Sequence, residues 1–169
     1  VPFVERPWDS TPLLDAGNTV VLHSMTKDHA LAGIRLGYAV APNEIVARLK
    51  VLQPFWSVNA AAQAAGLAAL EDDEHVRKGR EEVAVSKAYL EKELELLGLK
   101  AVPSSANFIL VDVGDAASLR SRLLRRGLVV RDCASFGLPG YIRISIRTPA
   151  ECRRLTDGLK ATIDTGETR

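Results

Sequence analysis

TVVLHSMTKDHALAGIRLGYAV, residues 19–40, sets two short apolar runs on either side of a polar cluster. Val20, Val21 and Leu22 lead into His23, Ser24, Thr26 and Lys27. A small stretch, Leu31, Ala32 and Gly33, follows; Arg35 then opens the run from Leu36 to Ala41. Both runs are short, aliphatic and bounded by breakers, which predicts buried strands over 19–23 and 35–41. The loop between them places a Ser three residues before a Lys and an Arg eight after it, the makings of an anion cradle around an amine. A hydroxyl, a guanidinium fork and loop N–H groups suit a phosphate. A lysine that forms an imine with a carbonyl cofactor must be nucleophilic as a free amine, and a nearby Arg35 favours that by like-charge repulsion. Gly33 lets the backbone come close or take positive φ. A lone loop lysine is usually a surface charge. Four matched residues between two strands outweigh that reading.

The chain of 169 residues is long enough to bury a core, as one domain or two small ones. Its apolar fraction of 47% and charged fraction of 25% are those of an ordinary globular protein. A net charge of +1 argues against a nucleic-acid partner, and RLLRR at 122–126 reads as a solvated helix face. Cys133 and Cys152 lack metal-ligand spacing and are expected as reduced, structural thiols; no metal site is expected. No apolar stretch suffices to span a bilayer and no signal-peptide organisation is present, so no membrane partner and a cytoplasmic location are expected. The start at Val1, running into VPFVERPW, reads as mid-protein sequence.

Pro2, Pro7 and Pro12 argue against a long element in residues 1–17, with LLDAG a short helix ending at Gly17. Helices are expected over 43–53, with Asn43 as N-cap, and over the alanine-rich 55–72. The longest follows over 73–98, with Val76, Val83, Leu90, Leu94 and Leu97 on one stripe, Lys87 and Glu91 paired, and Gly98 as its stop. Beyond it, strands at 107–113, 128–132 and 141–146 alternate with helices at 117–127 and 149–163. The last has Pro149 near its start and Cys152, Leu155, Leu159 and Ile163 inward. That alternation makes a small α/β sandwich. The tail DTGETR is expected to fray.

SMTKDHALAGIRLGY resembles the pyridoxal-phosphate attachment motif of the class-I and class-II aminotransferases, of fold type I. The resemblance continues through SVNAAAQAA (57–65), SANFILVDV (105–113) and RDCASFGLPGYIRIS (131–145), and so covers nearly the whole chain. Among family members it is most similar to histidinol-phosphate aminotransferases and threonine-phosphate decarboxylases. It implies an α/β fold: the end of a large cofactor-binding domain over residues 1–75, then a small C-terminal α/β sandwich over 76–169 entered through the 73–98 helix. It implies Lys27 as the catalytic lysine, with Ser24, Thr26, Lys27 and Arg35 binding pyridoxal 5'-phosphate. Arg143 would grip a substrate α-carboxylate through a bidentate fork, although taken alone it reads as a solvated strand face; Arg131 would hold a second anionic group such as a substrate phosphate, or it pairs with Asp132 or another carboxylate. The reaction implied is amino transfer between an amino acid or amino-alcohol phosphate and a 2-oxo acid. The alternative is decarboxylation of threonine phosphate. The full-length protein would be a homodimer, with residues 54–60 approaching a neighbour's site.

Two positions depart from the family pattern. His23 stands where histidinol-phosphate enzymes often place Arg, and Arg147 where many relatives have Gly. The family's first half supplies a Gly-rich phosphate loop, a ring-stacking aromatic, an Asn and an Asp paired to the pyridine nitrogen. Those motifs are expected upstream of this chain, which alone should lack the electron-sink machinery and be inactive. Ser24-Met25-Thr26-Lys27 is also literally S-x-x-K, the nucleophile motif of penicillin-binding proteins. K-T-G is missing, though, and a strand leads into the Ser. A non-catalytic α/β module is the remaining alternative.

Overall fold

The computed structural model describes Phe3 and residues 9–164. These fall into two compact units, one within Arg6–Gly79 and the other within Arg80–Arg169 with Phe3. The tail expected to fray lies outside the described residues except for Asp164.

In the first unit a 3₁₀ turn over Thr11–Ala16 stops at Gly17, where φ is +75°. Strand β1 (Val21–Ser24) runs into a single helical turn, α1 (Met25–Asp28), and strand β2 (Gly37–Val40) returns antiparallel to β1. Helices α2 (Asn43–Leu52) and α3 (Ala60–Leu70) follow. The strands form where expected, but they are not buried: Leu22, Tyr38 and Val40 are exposed. A two-stranded ribbon offers too little sheet to cover both its faces. Pro42, not Asn43, caps α2, because its extended backbone takes the flanking position and Asn43 turns helical. The alanine-rich segment becomes helical only from Ala60. Asn59 caps it by accepting from the Ala62 N–H at 2.8 Å.

Helix α4 (Asp73–Leu96) begins in the first unit and continues into the second. The second unit then adds β3 (Lys100–Val102), β4 (Phe108–Asp112), α5 (Ala116–Arg125), β5 (Arg131–Cys133), β6 (Leu138–Ser145) and α6 (Pro149–Asp164). The sheet order is β3-β4-β6-β5, with every neighbouring pair antiparallel. Ile109 and Val111 oppose Ile144 and Ile142 across β4 and β6. This apolar face packs against Leu90 and Leu94 of α4, Leu119 and Leu123 of α5, and Cys152 and Leu159 of α6. The result is the α/β sandwich the sequence predicts.

Differences in the second unit have local causes. The strand expected at 128–132 starts only at Arg131, because Leu128 is taken up in ending α5. Gly127 sits at φ +70°, its N–H bonds Leu124 O, and the Leu128 N–H bonds Leu123 O. Strand β3 is too short to show a period. The basic run at 122–126 is more than a solvated face. Arg122 and Arg126 reach the last turn of α6, each donating at 3.4 Å to a carbonyl, Thr162 O and Ala161 O. Cations there complement the helix dipole. At the other end of α6, Thr148 and Glu151 form a capping box. The Glu151 carboxylate accepts from Thr148 N–H at 3.3 Å and from its hydroxyl at 2.7 Å.

Candidate active site

Ser24 ends β1 and caps α1. Its Oγ lies 2.8 Å from the Thr26 hydroxyl and 3.4 Å from the Thr26 N–H. Lys27 follows on the same turn, exposed. The turn is tied through Met25, whose N–H donates to Leu36 O at 3.2 Å and whose carbonyl accepts from the Leu31 N–H at 3.2 Å. Because Ser24 pairs with Gly37 and Met25 with Leu36, Arg35 emerges one residue before the point where the chain rejoins the ribbon. Ser24, Thr26, Lys27 and Arg35 therefore cluster at one end of β1–β2.

The backbone of this loop is strained. Ala30 has φ of 56° and Arg35 has φ of 60°, left-handed values that cost a non-glycine residue roughly 1–2 kcal/mol. Glycine would hold the Arg35 conformation more cheaply. That guanidinium is exposed and folds over its own loop, donating to Ala32 O at 3.1 Å. Asn59 supports the loop from α3, its amide donating to Ile34 O at 3.4 Å. The sequence offered a cue to Asn59, a polar residue just before an alanine run, but not to its second contact. Gly37 is needed because a Cβ there would lie 2.7 Å from His23 O, and one at Gly66 would collide with Leu36.

Ser24 shares its hydroxyl with Thr26 rather than with the Lys27 amine, so the S-x-x-K reading lacks its nucleophile–base contact. His23, opposite Tyr38 on β2, stacks on that ring at 4.7 Å between centroids.

In the second unit Arg131 and Arg143 are direct cross-strand partners on β5 and β6. Ile142 and Ile144 point into the core, so both arginines stand on the opposite face. Each lies over an aromatic ring, Arg131 over Phe136 at 4.7 Å and Arg143 over Phe108 at 5.2 Å. Among the described residues neither has a carboxylate partner. Asp132 turns to Arg120 at 3.7 Å, which removes the Arg131–Asp132 pairing considered above. Like charges directly opposed on a sheet are unfavourable. The pair presents two guanidinium groups side by side on one face of the sheet. The two rings were not anticipated as part of it. Arg147 stands apart from this pair in its bonding: it joins Glu151 at 2.9 Å at the start of α6.

The sequence and fold match a known family. Residues 3–159 match the model for aminotransferase class I and II, and the chain belongs to that family. It is 46% identical to a histidinol-phosphate aminotransferase of Symbiobacterium thermophilum, over 97% of this chain and 46% of that protein. A histidinol-phosphate aminotransferase of Akkermansia muciniphila is 40% identical over 94% and 44%. The crystal structure of a putative histidinol-phosphate aminotransferase from Erwinia carotovora superposes with a TM-score of 0.86 at 26% identity, over 98% of this chain and 49% of that one. An L-threonine-O-3-phosphate decarboxylase from Porphyromonas gingivalis gives 0.77 at 25% identity, over 97% and 53%. The chain thus spans about half the length of the curated relatives it matches.

Proposed function

We propose that this chain carries the lysine-bearing part of a pyridoxal-phosphate-dependent aminotransferase. The amino group would pass between an amino acid or a histidinol-phosphate-like amino-alcohol phosphate and a 2-oxo acid. The observation that carries the reading is the clustering of Ser24, Thr26, Lys27 and a strained Arg35 at one end of β1–β2. Two hydroxyls, a guanidinium and a primary amine are the donor set that a phosphate-bearing aldehyde requires. When bound, the cofactor supplies an electron sink for the carbon that loses a proton.

The protein's own part follows from its side chains. Ser24 and Thr26 would donate hydroxyl hydrogens to the phosphate, and Arg35 would offer its fork. The Lys27 amine would take the proton from the substrate Cα as general base and then serve as general acid for protonation at a different carbon, so that the amino group can leave the substrate. Arg143 holds the α-carboxylate, and Arg131 beside it a second anionic group. The residues that hold and tune the cofactor ring belong to the family's other half, so activity is a property of the full-length protein. We place that protein in the cytoplasm as a homodimer, with Phe55 and Trp56, both almost fully exposed, near the contact.

Product analysis of the full-length protein tests the reaction. With histidinol phosphate and 2-oxoglutarate we expect glutamate to accumulate. Carbon dioxide release from threonine phosphate without amino transfer would favour the decarboxylase reading instead.

A further inference from the structure

We propose that Lys87 is a positioning residue for Arg143, acting through Ser104 and Phe108. The proposal rests on the reading above, in which Arg143 binds the substrate carboxylate. Lys87 lies on α4 with 8% of its surface exposed, three residues before the fully buried Leu90. A lysine is seldom buried there without a task, since removing its charge from water costs several kcal/mol unless it is well partnered. Its ammonium donates to the carbonyl of Ser104. The Ser104 hydroxyl in turn donates to Phe108 O at 2.7 Å and accepts from the Ala106 N–H at 3.1 Å. Those bonds fix residues 104–108, the turn that delivers the first residue of β4. The ring of that residue, Phe108, is the surface on which the Arg143 guanidinium rests, 5.2 Å from its centroid.

The relay links a buried amine to the fork that meets substrate, with one hydrogen bond or ring contact at each step. An apolar residue at 87 would pack as well but leave Ser104 O without its donor. The turn would then be free to shift, and a planar fork tolerates little misplacement in a bidentate contact.

The test uses the full-length, cofactor-loaded enzyme and steady-state kinetics with an amino acid that carries an α-carboxylate. Lys87→Met should raise KM about tenfold, corresponding to about 1.4 kcal/mol, with kcat and bound cofactor within about twofold of the parent. Lys87→Arg, which keeps a cationic donor, should recover most of the loss. Ser104→Ala cuts the next link without touching Lys87 and should raise KM similarly; it serves if Lys87→Met fails to fold. The effects of Lys87→Met and Phe108→Leu should be less than multiplicative when combined, because both break one relay. Unchanged KM in Lys87→Met and Ser104→Ala, a parallel loss of cofactor and kcat, or fully multiplicative effects would overturn the proposal. Arg143→Lys separates the two claims. If it leaves KM unchanged, the role of Arg143 itself is wrong. If it raises KM while the Lys87 and Ser104 variants do not, the relay alone is wrong.

Discussion

In the function proposed for this chain, Arg35 would serve ligand binding against the interest of the fold. Its φ of 60° favours glycine, and among the described residues its side chain bonds Ala32 O. Arg35→Gly should therefore leave the thermal midpoint within about 3 °C of the parent, the relieved strain offsetting glycine's added freedom when unfolded. Cofactor affinity should fall at least tenfold, read by equilibrium titration with pyridoxal phosphate in the full-length protein. A second residue-scale expectation concerns Glu151. Bonds from Thr148 first and Arg147 second hold its carboxyl below the usual 4.5. A depressed carboxyl adds stability that is present above pH 4.5 and is lost as the pH falls through the lower folded value. The midpoint difference between the parent and Glu151→Gln should thus shrink below pH 4.5, as followed by circular dichroism. The sequence pointed to Arg35 by its spacing from Ser24 and Lys27, and to Arg143 only through the family resemblance of its late strand. It gave no sign of the left-handed backbone at 35 or of the rings beneath Arg131 and Arg143, which depend on contacts between separate segments.

At the scale of elements, the helices and strands with long apolar periods were legible. α4 carries its stripe inward at Leu90 and Leu94, and α6 does so at Cys152 and Leu159. Short pieces were not: β3 has three residues, and β5 starts late because the α5 stop consumes Leu128. Close approaches were equally hidden. Gly37 and Gly66 read as ordinary apolar-run glycines, but each marks a place where a backbone or side chain fills the space of a Cβ. Gly37→Ala should cost about 1–3 kcal/mol, because the obstructing atom is a backbone carbonyl that cannot swing aside. Chemical denaturation measures it. Thr148→Ala, which removes the capping-box hydroxyl of α6, should cost about 1 kcal/mol in the same experiment.

For the molecule as a whole, apolar residues are distributed unevenly between the two units. The second unit encloses a continuous core from Leu90 to Leu159. In the first unit Leu22, Val51, Leu52, Phe55, Trp56 and Leu67 are exposed, and Met25 and Ala62 are its buried hydrophobic residues among those described. The sequence read 19–23 and 35–41 as buried strands, yet Leu22, Tyr38 and Val40 are exposed, since burial depends on partners and not on pattern. Leu90→Ala should cost about 2–5 kcal/mol, like other truncations in closed cores, whereas Leu22→Ala in this chain should cost under 1 kcal/mol. The central claim, that Lys27 is the amine that joins the cofactor, is tested most directly by borohydride reduction of the full-length protein with pyridoxal phosphate, followed by peptide mapping. The account predicts one reduced pyridoxyl group, on Lys27, absent from Lys27→Ala. Stable labelling of another lysine in the parent protein, or undiminished labelling of the variant, would contradict it.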